Sequence, residues 1–182
     1  MIIVEGPDGG GKTTLIPFLE ALTGLPSWKP GPYPKSAREA YVHSQDCLHK
    51  LKQHFICDRV TQVSEHIYGP IVNDQDFMPL AEVQKFFRQC ADNGWVFIYC
   101  RPWPTNLMIE NHVRSENDES DEVFELLKER LGEIVKVYDS LMFSELTNPL
   151  RQKNLFYSYD WAEHGANHKL TQFLTKEFSD GQ

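Results

Sequence analysis

Eight residues near the start of the chain, Gly6-Pro7-Asp8-Gly9-Gly10-Gly11-Lys12-Thr13, constrain the fold more than any other segment. They fit the pattern G-x-x-x-x-G-K-[ST], in which glycines let successive backbone N–H groups converge on phosphate oxygens. The helix that follows adds the positive end of its dipole to the same point. The surroundings match: Ile2 to Glu5 is a short apolar run suited to a buried parallel strand, and Lys12 to about Leu22 has helical spacing through Leu15, Phe18 and Leu19. In this reading Gly6, Gly9, Gly10, Gly11, Lys12, Thr13 and Thr14 hold the phosphates of ATP, Lys12 neutralises the β- and γ-phosphates, and the Thr13 hydroxyl reaches Mg²⁺.

The rest of the chain alternates strand and helix. The expected strands are Ser27 to Lys29, Phe55 to Cys57, Trp95 to Cys100 and Leu155 to Tyr159. Ser36 is a good N-cap for a helix to about Gln53, with Ala37, Tyr41, Leu48 and Leu51 along one side. A helix after Arg59 is expected to stop at Tyr68, where Gly69-Pro70 follows. Further helices are expected over Leu80 to Cys90, Pro104 to about His112, Val123 to Leu146 and Ala162 to Phe178. The pattern predicts an α/β fold of the P-loop NTPase type: a three-layer sandwich with a parallel sheet of about five strands flanked by helices. In such sheets ligands bind beyond the carboxyl ends of the strands, where the informative residues fall.

With 182 residues, 41% hydrophobic and 24% charged, the composition is that of one globular domain spanning 1–182. A formal net charge of −8 disfavours a nucleic-acid partner but leaves room for small nucleotides in a locally positive pocket. Cys47, Cys57, Cys90 and Cys100 are too scattered for a zinc site or a disulfide framework and are expected to be reduced and buried. No apolar run approaches the ~18 residues of a membrane span, and the N-terminus lacks the basic start of a signal peptide. A cytoplasmic protein with no membrane partner is expected.

Val4-Glu5-Gly6-Pro7-Asp8-Gly9-Gly10-Gly11-Lys12-Thr13-Thr14 resembles the opening of the thymidylate kinase family, whose loop reads E-G-x-D/E-G-x-G-K-T-T. Phe55-Ile56-Cys57-Asp58-Arg59, followed by Ser64 and Tyr68, is similar to that family's segment D-R-x(4)-S with a later tyrosine, here one residue further on. The resemblance implies a P-loop (deoxy)nucleoside monophosphate kinase using Mg²⁺ with ATP as phosphoryl donor. It implies that Asp8 faces a deoxyribose 3′-hydroxyl and that Ser64 and Tyr68 belong to the acceptor side. A guanidinium at a strand end can grip a phosphate in two places, which suits Arg59; Asp58 could order waters around Mg²⁺ or steer that arginine. The family's base-side arginine and aromatic fall nearest to Arg38 and Tyr33, so the acceptor region covers about 30–70, shortened here and rich in proline.

A lid is implied over about 112–122. Pro7, Asp8, Gly9 and Gly10 fill the variable loop positions, so the arginine that stabilises charge during transfer must lie elsewhere. Arg114 is the candidate and Arg101 the competitor. Tyr159-Asp160-Trp161 either borders the adenine or forms an ordinary aromatic corner. Members of the family are commonly dimers, so a homodimer is among the options. The compact, divergent pattern would suit a virus-encoded member.

Two acceptor chemistries remain open. Transfer to a deoxynucleoside monophosphate needs positioning and charge neutralisation but no general base. Transfer to a nucleoside 5′-hydroxyl needs a base, for which Glu5 and Asp58 are the candidates. A regulatory NTPase is a third class, but the guanine-reading N-K-x-D is absent.

Overall fold

The structure, a computed structural model, describes residues 1–31, 34–72, 74–114 and 121–179. Five strands form one sheet in the order β2-β3-β1-β4-β5. They are β1 (Ile2–Glu5), β2 (Ser27–Trp28), β3 (Ile56–Asp58), β4 (Val96–Cys100) and β5 (Phe156–Tyr159). Every pairing is parallel, with Val4 opposite Asp58 on one side and Ile98 on the other. Parallel neighbours need crossover connections, and helices supply them: α1 (Lys12–Thr23), α2 (Ala37–Lys52), α3 (Thr61–Val72), α4 (Leu80–Asp92), α5 (Thr105–Arg114), α6 (Asp121–Met142), α7 (Asn148–Gln152) and α8 (Ala166–Ser179). This is the expected three-layer α/β architecture. Its core runs along both faces of β1 and β4, all of whose residues are buried. All four cysteines are free and buried, as expected.

The helices correct the sequence reading in detail. In α2, Ser36 caps as expected, its hydroxyl accepting from the Glu39 N–H at 3.2 Å. Its buried side is Ala40, Ser44, Cys47 and Leu51, whereas Tyr41 is 63% exposed and Ala37 lies at the surface. Small residues at 40 and 44 let α2 lie close to α3, and the Gln62 amide donates to the Ser44 carbonyl at 3.0 Å. Helix α3 does not stop at Tyr68 but runs through Gly69-Pro70 to Val72. Gly69 permits this: a Cβ there would sit 2.6 Å from the Gln75 carbonyl oxygen, and the Gln75 N–H closes onto the Gly69 carbonyl at 3.2 Å. Helix α6 ends at Met142 rather than Leu146, and a 3₁₀ turn (Glu145–Thr147) and α7 fill the interval that the sequence left without structure. Helix α8 starts four residues later than expected, after Gly165 in the left-handed region.

Candidate nucleotide site

Strand β1 delivers the phosphate loop to the centre of the sheet's carboxyl edge. Gly6 has φ +147°, and a Cβ there would lie 2.4 Å from the carbonyl oxygen of Cys100, so the loop rests directly on the end of β4. Gly11 is equally constrained, for a Cβ would meet the Trp161 ring at 2.4 Å. Lys12 opens α1 with its side chain turned back into the loop, Nζ donating to the Gly6 and Pro7 carbonyls at 2.6 and 2.8 Å. Burial pulls its pKa down, Arg59 adds to that, and Asp8 and Asp58 oppose it. Thr13 and Thr14 follow, both exposed at the helix N-terminus.

Beneath the loop lies Glu5, fully buried. Its carboxylate accepts from the Val60 N–H (2.6 Å), the Ser64 hydroxyl (3.1 Å), the Tyr138 hydroxyl (3.0 Å) and the Gly6 N–H (3.1 Å). Burial raises its pKa, while Arg59, the Val60 N–H, Lys12 and the Tyr138 hydroxyl pull the other way. The carboxylate thus ties β1 to the start of α3 and to α6. Ser64, expected on the acceptor side, spends its hydroxyl on this structural anchor.

The turn after β3 carries Asp58 and Arg59. The Arg59 N–H continues the sheet by donating to the Val4 carbonyl at 2.9 Å, then the chain bends at φ +70°. A left-handed conformation in a non-glycine residue costs on the order of 1–2 kcal/mol, and here it aims the guanidinium across the sheet edge. Arg59 pairs with Asp8 of the phosphate loop and lies over the Tyr68 ring at 5.1 Å. Tyr68 closes the triangle, its hydroxyl donating to Asp8 Oδ2 at 3.0 Å and accepting the Asp8 N–H at 3.2 Å. Residues 8, 59 and 68, separated in sequence, therefore form one polar cluster.

Asp58 Oδ1 is buried without a hydrogen-bond partner, and its charge acts on Lys12. A hard cation, or a water bound to one, suits that oxygen, and Mg²⁺ takes one or two protein ligands with the remainder from waters and phosphates. Asp58 and Thr13 thus fit Mg²⁺. No cluster of three metal-ligating side chains occurs among the described residues, and a phosphate-borne Mg²⁺ does not require one.

The remaining expected residues divide. Arg38 is exposed on α2. Arg114 ends α5, with nothing described of its side chain, and Tyr33 and 115–120 lie outside the described residues. Arg101, the lid competitor, is 2% exposed. Its guanidinium donates to both oxygens of Asp139 (3.0 to 3.2 Å), to the Pro102 carbonyl and to the Thr105 hydroxyl, beneath the Trp103 ring at 3.8 Å. It pins β4 to α6. Asp160 accepts from the Trp103 and Ala162 N–H groups, and Trp161 borders the loop at Gly11. Tyr138 and Asp139 carry no signal in the sequence, since both sit within one long amphipathic helix. Gln62 and Glu65, buried on α3, were also missed, although a charged residue next to the Asp-Arg motif could have been flagged.

No protein-family model and no curated protein matches the sequence. Solved structures do. The YorR protein of Bacillus subtilis, in complex with phosphorylated GDP, is 20% identical over 100% of this chain and 98% of its own, with a TM-score of 0.60. Deoxyadenosine kinase of M. mycoides with products dCMP and dCDP is 13% identical, covering 96% of this chain and 98% of its own, with a TM-score of 0.55. The same enzyme with bound dATP gives 0.52. The chain shares the three-layer α/β fold of these proteins.

Proposed function

We propose that this chain is a kinase that transfers the γ-phosphoryl group of ATP to the phosphate of a nucleoside monophosphate, a deoxynucleotide by the resemblance of its loop to thymidylate kinases. The carrying observation is the polar cluster of Asp8, Arg59 and Tyr68 beside the loop that holds Lys12. In this reading Arg59 grips the acceptor phosphate and Asp8 faces the sugar, next to the point where donor phosphates would lie. The fold shared with YorR and deoxyadenosine kinase supports the broader class, phosphoryl transfer to a nucleotide or a nucleoside.

In this reading the backbone N–H groups of Gly9 to Thr13 and the α1 dipole receive the donor phosphates. Lys12 then exchanges its carbonyl partners for β- and γ-phosphate oxygens. Arg59 holds the acceptor phosphate in line, and Asp8 takes the 3′-hydroxyl. Thr13 and Asp58 would hold Mg²⁺, which would supply charge neutralisation for the donor phosphates. An ionised phosphate oxygen attacks directly, so no proton has to be removed. Arg114 is proposed as the lid arginine, and its case strengthens because Arg101 is committed to Asp139.

A nucleoside kinase is the second reading, favoured by the deoxyadenosine kinase likeness. Of its two candidate bases, Glu5 is sealed by four donors, which leaves Asp58. An ADP-release assay with Mg·ATP against deoxy- and ribonucleosides and their monophosphates separates the readings. Turnover with a monophosphate and not its nucleoside supports the first; turnover with nucleosides alone moves the base role to Asp58. Slow ADP release indifferent to every acceptor removes both.

A further inference from the structure

Among the described residues, three buried side-chain oxygens that accept no hydrogen bond fall within eight positions of one another: Asp58 Oδ1, Gln62 Oε1 and Glu65 Oε2. Asp58 Oδ1 is accounted for by the Mg²⁺ proposed above. Gln62 and Glu65 are not. They lie at i and i+3 on α3 and so share a face. Gln62 is 5% exposed and Glu65 is 2% exposed. Gln62 is oriented by its amide donating to α2 at Ser44, which leaves its oxygen turned away from that bond. Glu65 Oε2 lies on the Gly69 side of the helix, where the Gln75 carbonyl closes over the last turn without meeting a side chain at 69. Glu65 is coupled to Arg59, and it sits three residues before Tyr68, so this face adjoins the proposed acceptor cluster. Burial pushes the Glu65 carboxyl up to about 7, with Arg59 drawing it down.

Unpartnered buried acceptors each cost free energy that a ligand bringing N–H groups can recover. Resting on the kinase reading, we propose that the Gln62–Glu65 face of α3 reads the base of the acceptor nucleotide and is matched to guanine. Guanine presents the N1–H and the 2-amino group side by side, donors that fit a carboxylate and a neighbouring amide oxygen. Adenine and cytosine offer one amino group beside a ring acceptor. Thymine offers one N–H between two carbonyls, and those carbonyls would be pressed against the protein's own acceptor oxygens. The thymine expected from the loop resemblance is thus the poorer match to this face.

Calorimetric binding of dGMP, dIMP, dAMP, dCMP and dTMP to the full chain, with a non-hydrolysable ATP analogue present, tests this without needing phosphoryl transfer. We expect dGMP to bind at least ~10-fold tighter than dIMP, which lacks only the 2-amino group, and ~100-fold tighter than dTMP. Glu65→Gln should erase most of the dGMP advantage and leave the affinity for the ATP analogue in place. The inference is overturned if dTMP or dAMP binds tightest, or if dGMP and dIMP bind alike. It is also overturned if the variant weakens every monophosphate equally. The wild-type ligand series stands by itself should the variant misfold. Tight dGMP binding without transfer from ATP would sink the kinase reading and keep this one. Transfer to thymidylate in preference to dGMP would do the reverse, and failure to bind any monophosphate would end both.

Discussion

Buried carboxylate oxygens on β1, β3 and α3 are finished in opposite ways. Under the loop, Glu5 receives four donors, from Gly6, Val60, Ser64 of α3 and Tyr138 of α6. After β3 and on α3, Asp58 and Glu65 each keep an oxygen that receives none. A satisfied buried charge braces a scaffold, because its donors come from elements that must stay together. An unsatisfied one is a cost that the fold carries for something that binds. The same contrast separates two arginines placed just after parallel strands. Arg101 is spent on Asp139, whereas Arg59 adopts a strained backbone and pairs with Asp8 of the loop.

Breaking this comparison starts with the loop itself. Lys12→Ala should lower kcat by ~10³-fold or more, since it removes the charge aimed at the transferred group; ADP release measures it, and wild-type-like turnover would end the phosphate-loop assignment. Glu5→Ala should cost about 3–5 kcal/mol of stability, because it orphans four donors and removes the brace. Urea unfolding reads that loss, and a change under about 1 kcal/mol would mean that the brace is not shared as described. Arg59→Ala should raise the KM for a monophosphate ~10–100-fold with little change for ATP. Equal losses for both substrates would take the acceptor role from it.

The smallest effect sharpens the contrast most. Glu65 titrates near about 7 in the folded chain against an ordinary 4.5, so between those values the native state holds a proton that the unfolded state has lost. Stability therefore falls as pH rises through that window, and Glu65→Gln should remove that part of the fall. The variant should melt a few degrees higher than wild type at pH 8 and level with it near pH 4.5. A lower Tm at pH 8 would show that Glu65 braces the fold as Glu5 does.

Much of this was legible from local pattern. The loop, the strand before it, the helix after it and the Asp58-Arg59 turn follow from residue types at short spacing, and Asp8 was assigned to the acceptor side by resemblance. Helix faces were less legible. Tyr41 looked like core, yet the small residues Ala40 and Ser44 turn that side of α2 inward. Pro70 looked like a stop, yet Gly69 lets the 74–79 segment close over the last turn.

By itself the sequence determined the sheet-and-helix alternation and the glycine-rich loop between β1 and α1, because both depend on contacts within a few residues. Only the tertiary structure decided which charges are spent and which are kept. Glu5 meets Tyr138 across 133 positions, Arg101 meets Asp139 across 38, and Arg59 meets Asp8 across 51. Hydrogen-bond satisfaction in a buried site is a property of three-dimensional neighbours, and no spacing rule along the chain encodes it.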